Sequence, residues 1–292
     1  YDYRQENYTE LLWFFEGFTS YYDDLLLRRA GLLDEAAYLK LLTKSVNQVL
    51  QAPGRHVQSV AQASFDAWVK FYRMDENTPN ATISYYSKGA LVALCLDLTL
   101  RREGRSTLDD LMRALWQRCQ GGPMAESDLR AVLHTLSGRA FDAELDAWVH
   151  STTELPLAEL LAAHGVGVQP ETAQPAQRLG LRVTESHAAS HAVHIKTVLR
   201  GGLAERAGMA AGDEWLGIEA DGQGWRLHQL EQLALLAGNA AQVTALVARD
   251  GRLLRLPLML AHASADSADN AASDTMALHV TDAAALQRSA WL

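Results

Sequence analysis

The stretch "LLWFFEGFTSYYDDLLL" (residues 11–27) decides how the first half of this chain is read. Leu11, Phe15, Phe18, Tyr22 and Leu25 recur at helical spacing, which predicts one apolar stripe along a helix. Asn7, followed three residues later by Glu10, reads as the start of that helix, and Gly31 as its end. Glu16 stands among the rings. It is either a solvent-facing residue beside a core stripe or a metal ligand held rigidly in an apolar wall. Hydrolytic zinc sites take three protein ligands and leave a fourth position for water. A common scheme sets H-E-x-x-H on one helix and a glutamate on a second. Gly17 would let a facing helix approach closely, and Thr19 and Ser20 are placed to hydrogen-bond the carboxylate or a ligating histidine behind the metal.

Working outward, residues 1 to about 165 read as helical. "LDEAAYLKLLTKSVNQVLQ" (33–51) is a helix ended by Pro53-Gly54, and a loop rich in aromatics follows. "SKGALVALCLDLTLRREG" (87–104) is nearly all apolar, as in a helix buried on most sides. "STLDDLMRALWQRC" (106–119) has a Ser/Thr start and early acidic residues that suit the helix dipole. Shorter helices are expected near 126–136, 140–149 and 157–163.

"GVGVQPETAQPAQ" (165–177) has no helical period and reads as a linker. Short strands and turns follow: "LGLRVTES", "AVHIKTVL" and "EWLGIEA", a helix at 227–237, then a hairpin around Asp250-Gly251. "HASADSADNAASD" (262–274) is low-complexity and expected to be loose. The last residues regain apolar character and could dock back on a domain. The fold class expected is α+β: a mostly helical portion (1–170), a small β-rich domain (171–262), and a low-complexity segment with a tail (263–292).

Hydrophobic content of 48% and charged content of 21% across 292 residues are ordinary for a soluble globular protein. The net charge of −9 argues against nucleic acid or an anionic membrane as main partner. The run "ALVALCLDLTL" (90–100) is too short to span a bilayer and contains Asp97. Cys95 and Cys119 define neither a disulfide framework nor a zinc spacing and read as buried thiols, which leans cytoplasmic. The chain opens on Tyr rather than Met and is expected to be part of a longer one.

The segment around Glu16 resembles the glycyl aminopeptidase family, a branch of the gluzincin zinc metallopeptidases, where it supplies the third zinc ligand. "SYYSKGALVA" (84–93) resembles a second family segment. There a tyrosine two residues before Lys-Gly stabilises the tetrahedral intermediate. That role maps to Tyr86, with Tyr85 the fallback. The resemblance implies zinc in the parent protein, peptide substrates, and removal of N-terminal glycine or other small residues.

The family's H-E-x-x-H is absent from the sequence, and the resemblance places it upstream of Tyr1. This chain alone is therefore expected to hold no catalytic zinc and to be inactive, with its aromatic face open to self-association. "HAASHAVH" offers His187, His191 and His194, but the flanks read as strands. Four strand residues span roughly 13 Å, too far to share an ion.

"VLRGGLAERAGMAAGDEWLGIEADG" (198–222) resembles a run of PDZ domains. The likeness implies a carboxylate-binding loop at Leu179, Gly180 and Leu181 that captures a peptide C-terminus, with the 227–237 helix as the groove's other wall. A reading of another class stays open beside the peptidase: a non-catalytic helical scaffold with a peptide-binding module.

Overall fold

The computed structural model describes residues 4–185, 193–260 and 275–292. Two helices form its centre. Helix α1 (Leu12–Arg29) buries Trp13, Phe14, Gly17, Phe18, Tyr21 and Leu25. Of the expected stripe, Leu11, Phe18 and Leu25 are buried, but Phe15 is 42% exposed and Tyr22 only half-buried. A helix with rings on nearly every side offers two stripes at the same period, and the one holding Gly17 faces its neighbour. Asn7 does not cap it. Its side chain donates to Gln5 O, while the Ser64 hydroxyl accepts from Trp13 N at 2.9 Å, satisfying a helix-end donor from a distant element.

Helix α2 (Glu35–Leu50) is capped by Asp34, which accepts from Ala37 N. The expected aromatic loop is instead short helical pieces: a 3₁₀ turn (Pro53–His56), α3 (Val60–Phe65), a π-helical turn (Ala67–Phe71) and α4 (Thr78–Ala81). Ser59 and Gln62 box the start of α3. Helix α5 (Tyr85–Glu103) starts on the Ser84 hydroxyl, is buried continuously from Lys88 to Leu100, and ends at left-handed Gly104. Helices α6 (Leu108–Cys119), α7 (Glu126–Ser137), α8 (Asp142–Trp148) and α9 (Leu157–Ala163) complete one hydrophobic cluster around it. Cys95 is fully buried within it, which pushes its thiol pKa well up; Cys119 is half-buried.

Beyond lie β1 (Val166–Pro170), α10 (Pro175–Leu179), β2 (Leu181–Glu185), β3 (Val193–Val198), α11 (Leu203–Arg206), β4 (Glu214–Ala220) and β5 (Gln223–Arg226). Then come α12 (Gln232–Ala237), β6 (Gln242–Arg249), β7 (Arg252–Met259), β8 (Met276–Val280) and α13 (Ala285–Trp291). The main sheet runs β2-β3-β4-β6-β7, all antiparallel, with β5 added on β4. Asp250 (φ +50°) and Gly251 (φ +75°) turn the β6–β7 hairpin, the torsions a tight primed turn requires. Trp215 and Ile218 enter a second hydrophobic cluster. Leu216 does not, because the register shifts between Trp215 and Gly217 and leaves it half-exposed. The helix expected over 227–237 begins only at Gln232; Leu227 and Leu230 are buried as non-helical chain, with Leu227 N donating to Leu216 O.

The expected linker holds a strand. β1 pairs with β8, from Val166↔Val280 to Pro170↔Met276. Its partner lies far along the chain, so no local pattern announces it. Met276, Leu278 and Trp291 pack on the helical cluster, so the segment after β7 returns to the first half. Asn47 fixes the return with both amide atoms, donating to Met276 O and accepting from Met276 N, each at 2.9 Å. Asn80 treats the β-rich half likewise, donating to Val198 O (2.9 Å) and accepting from Arg200 N (2.8 Å). The fold is α+β. Among the described residues no helix is long and apolar enough to cross a membrane. The 262–274 stretch read as loose lies outside the described residues.

Candidate active site

Glu16 on α1 and Tyr86 on α5 are brought together by two glycines. A Cβ on Gly17 would stand 2.5 Å from the Gly89 backbone, and one on Gly89 would stand 2.5 Å from Trp13 O. The two helices therefore touch backbone to backbone, as only glycine allows. Glu16 precedes one contact residue, and Tyr86 lies one turn before the other.

Both side chains are half-buried. The Tyr86 phenol is raised above its ordinary pKa first by burial, then by the charge of Glu16, then by Tyr72. A phenol so raised stays protonated at neutral pH and keeps a hydrogen to donate. Tyr85 is fully buried, and its hydroxyl lies 3.4 Å from that of Tyr72. The Tyr85 and Tyr86 rings stack at 4.8 Å, and Phe71 packs on both. Tyr85 is enclosed in the ring cluster, while Tyr86 is half-buried and its hydroxyl also interacts with those of Tyr72 and Tyr85.

The cluster's outer wall comes from the π-helical turn, whose extra residue per turn re-aims the side chains that follow. Trp68 and Tyr72 sit 5.8 Å apart there, and Tyr72 is 60% exposed. Sequence reasoning noted the rings here only as an aromatic loop and missed Phe71 and Tyr72 as neighbours of the site. Lys88, of the same Tyr-Ser-Lys-Gly motif, is buried. Burial lowers its ammonium pKa, against the charge of Glu154.

Thr19 and Ser20 do not serve the carboxylate as donors. Thr19 donates to Phe15 O (2.6 Å) and Ser20 to Glu16 O (2.9 Å). Hydroxyls inside a helix find the carbonyl four residues back before any tertiary partner. Among the described residues no group of three His, Cys, Asp or Glu could hold a metal ion. The residues present fit one corner of a zinc site, a single half-buried carboxylate, and do not complete it. His187 and His191 lie outside the described residues, and His194 sits on β3 opposite Thr184.

The second expected site is also altered. A cleft of about 180 Å³ is lined by Leu179, Leu203, Leu233, Ala237 and Leu260, with Arg178 beside them. Leu179 ends α10, the Gly180 N–H donates to Gln177 O, and Leu181 is buried against Val198. The Gly180 amide is therefore spent on a helix end and is not free to capture a carboxylate.

Residues 1–92 match the M61 glycyl aminopeptidase family. The M61 segment contains both Glu16 and Tyr86, so the resemblance read from those two motifs stands. Among solved structures, an aminopeptidase N family protein from Idiomarina loihiensis is 32% identical with a TM-score of 0.86. The alignment covers 100% of this chain and 50% of that one, so this chain spans about half the length of that relative. A photosystem II D1 C-terminal processing protease aligns over 61% of this chain and 44% of its own, at 19% identity and a TM-score of 0.23, too slight a likeness to argue from. Curated proteins give no match. The chain is peptidase-related, with the fold of half of an aminopeptidase-type structure.

Proposed function

We propose that this chain supplies Glu16 and Tyr86 to the active site of a zinc aminopeptidase that removes small N-terminal residues such as glycine from peptides. The observation carrying this reading is the backbone contact at Gly17 and Gly89, which presents one carboxylate and one protonated phenol on facing helices. Glu16 would hold the metal through one carboxylate, and the two histidines and the general base would come from an H-E-x-x-H outside this sequence. Zinc, when bound, supplies a Lewis acid for the scissile carbonyl and lowers the pKa of a bound water. Tyr86 donates its hydrogen to the carbonyl oxygen as negative charge develops there, usually a large share of catalysis. The ring wall of Phe71 and Tyr85 fixes the phenol and keeps water from its inner side. The polypeptide extended upstream to include H-E-x-x-H is the test. Tyr86→Phe should lower kcat by about 10²–10³-fold, and Glu16→Gln should lose bound zinc. Full turnover by both variants would refute the assignment.

A second reading concerns the β-rich half. The apolar cleft between α10, α11 and α12 supports a PDZ-like module, covering about 171–262, that takes a peptide C-terminus. Titration of labelled peptides with apolar last residues should saturate; no binding by any of them would leave the module a packing role. If peptides bind while the extended protein shows no peptidase activity, the chain is a helical scaffold with an interaction module. The exposed rings of Tyr8, Phe15, Phe65, Trp68 and Tyr72 are the face through which the isolated chain would self-associate.

A further inference from the structure

One turn beyond Gly17, helix α1 carries a second anchor. The Tyr21 hydroxyl donates to Asp97 Oδ2 on α5 at 2.8 Å. Asp97 is fully buried, and its Oδ1 takes Arg101 Nε (2.8 Å) and Leu108 N (3.0 Å). The Tyr21 oxygen in turn accepts from Trp291 Nε1 at 2.9 Å. An indole N–H can only donate. Its arrival on the phenol oxygen therefore directs the single Tyr21 proton at Asp97.

Trp291 is 1% exposed and edge-on to Tyr38 (6.0 Å) and His164 (6.2 Å). Its segment is fastened at many points. Arg101 donates to Ala290 O at 2.6 Å. Arg288 donates to Gly165 O and Thr281 O and pairs with Glu35. β8 pairs with β1 and is held by Asn47.

The glycine contact sets how closely α1 and α5 approach, but it has no side chains to interlock. The Tyr21–Asp97 bond fixes their register, and that bond is completed from the far end of the chain. We propose that residues 276–292 act as a latch on the α1–α5 pair, and that Trp291 is a positioning residue for Glu16 and Tyr86. The catalytic half of this proposal rests on the reading of those two residues given above. Displacing catalytic groups by an ångström can cost two orders of magnitude in rate, so a loosened register is expected to act on kcat.

Trp291→Phe keeps a ring and deletes the N–H, and Tyr21→Phe keeps the ring and deletes the hydroxyl. In the 292-residue chain, each should speed amide hydrogen exchange in α1 at least about tenfold while leaving β6 and β7 unchanged. In the extended, zinc-loaded protein, each should lower kcat about tenfold at constant KM, and the double variant should be no worse than either single one. Unaltered exchange in α1 would overturn the latch. Wild-type peptidase activity with an unchanged kcat in Trp291→Phe would overturn the positioning role alone. A wild-type protein without peptidase activity would overturn the functional reading and, with it, the catalytic half of the proposal.

Discussion

The two halves of the molecule treat buried polar groups differently. The helical half encloses Asp97, Lys88, Ser64, Arg55 and His164 within or against its core. Among its described residues the β-rich half buries one carboxylate, Asp213, beside the sheet, where Arg249 clamps it with two bonds of 2.6 and 2.8 Å while remaining partly in solvent. Buried charge is costly unless every donor is in place, and apolar packing of equal volume is often no less stable. The helical half thus carries polar interior groups where shape alone would not require them, and two of them, Asp97 and Lys88, lie on α5, the helix that presents Tyr86. The difference teaches that α1 and α5 are held by specified bonds, whereas the sheet is held mainly by its ladder and its apolar face.

The strongest way to break that contrast is to remove the charge from each half. Asp97→Ala leaves Tyr21, Arg101 and the Leu108 amide without their acceptor and should cost about 3–5 kcal/mol in urea denaturation. Asp213→Ala should cost less, about 2 kcal/mol, because Arg249 can turn to water. Equal losses would erase the distinction. Next in size, Gly17→Val drives a side chain into the Gly89 backbone and should cost about 3 kcal/mol. Gly208→Ala, at φ +83° with open space around it, should cost only the torsional strain of about 1–2 kcal/mol. Asn80→Ala strips the two bonds this residue makes to the β-rich half and should cost about 1–2 kcal/mol. It should also separate a single thermal transition into two if those bonds couple the units; calorimetry reads both.

The smallest effect is a dependence on pH. His164 donates Nδ1–H to Leu160 O, and burial holds its pKa below the usual 6.5. The unfolded chain then takes up the proton first as pH falls. Stability from the neutral ring is complete above about pH 6.5 and is lost as pH drops toward the folded-state pKa. Denaturation midpoints should therefore fall between pH 7.5 and 5.5, and His164→Gln should flatten that slope.

Long helices were legible where the pattern was local. α6 lies where its Ser/Thr start predicts, α9 fills the span expected near 157–163, and α5 stops at Gly104 as read but starts at Tyr85, two residues before the expected Ser87. Gly17 was legible as a point of close helix approach, and the short runs around Glu16 and Tyr86 singled out two residues that the structure sets on facing helices. The stripe of α1 was legible only in part: Leu11, Phe18 and Leu25 are buried as read, but rings on both sides make period 3.6 ambiguous at Phe15 and Tyr22, and only the position of α5 resolves it. Strand β1 was hidden because its pairing is non-local. Tyr72 was hidden because a π-helical turn has no sequence period to read, and Trp291 because its partner stands on the first helix.

The pairing of β1 with β8 has a consequence for how the halves share their fate. The chain departs at Glu171 and comes back at Thr275, and these two residues are hydrogen-bonded to each other at 3.0 Å through the Glu171 amide and the Thr275 hydroxyl alike. Everything between them is topologically a detour, leaving and rejoining through one gate. Were the sheet to melt, that detour would become a slack loop, and holding the gate shut would carry a closure entropy on the order of 4 kcal/mol. A fault in the distant sheet could thus loosen Trp291, and the helix that bears Glu16, without altering any contact between them.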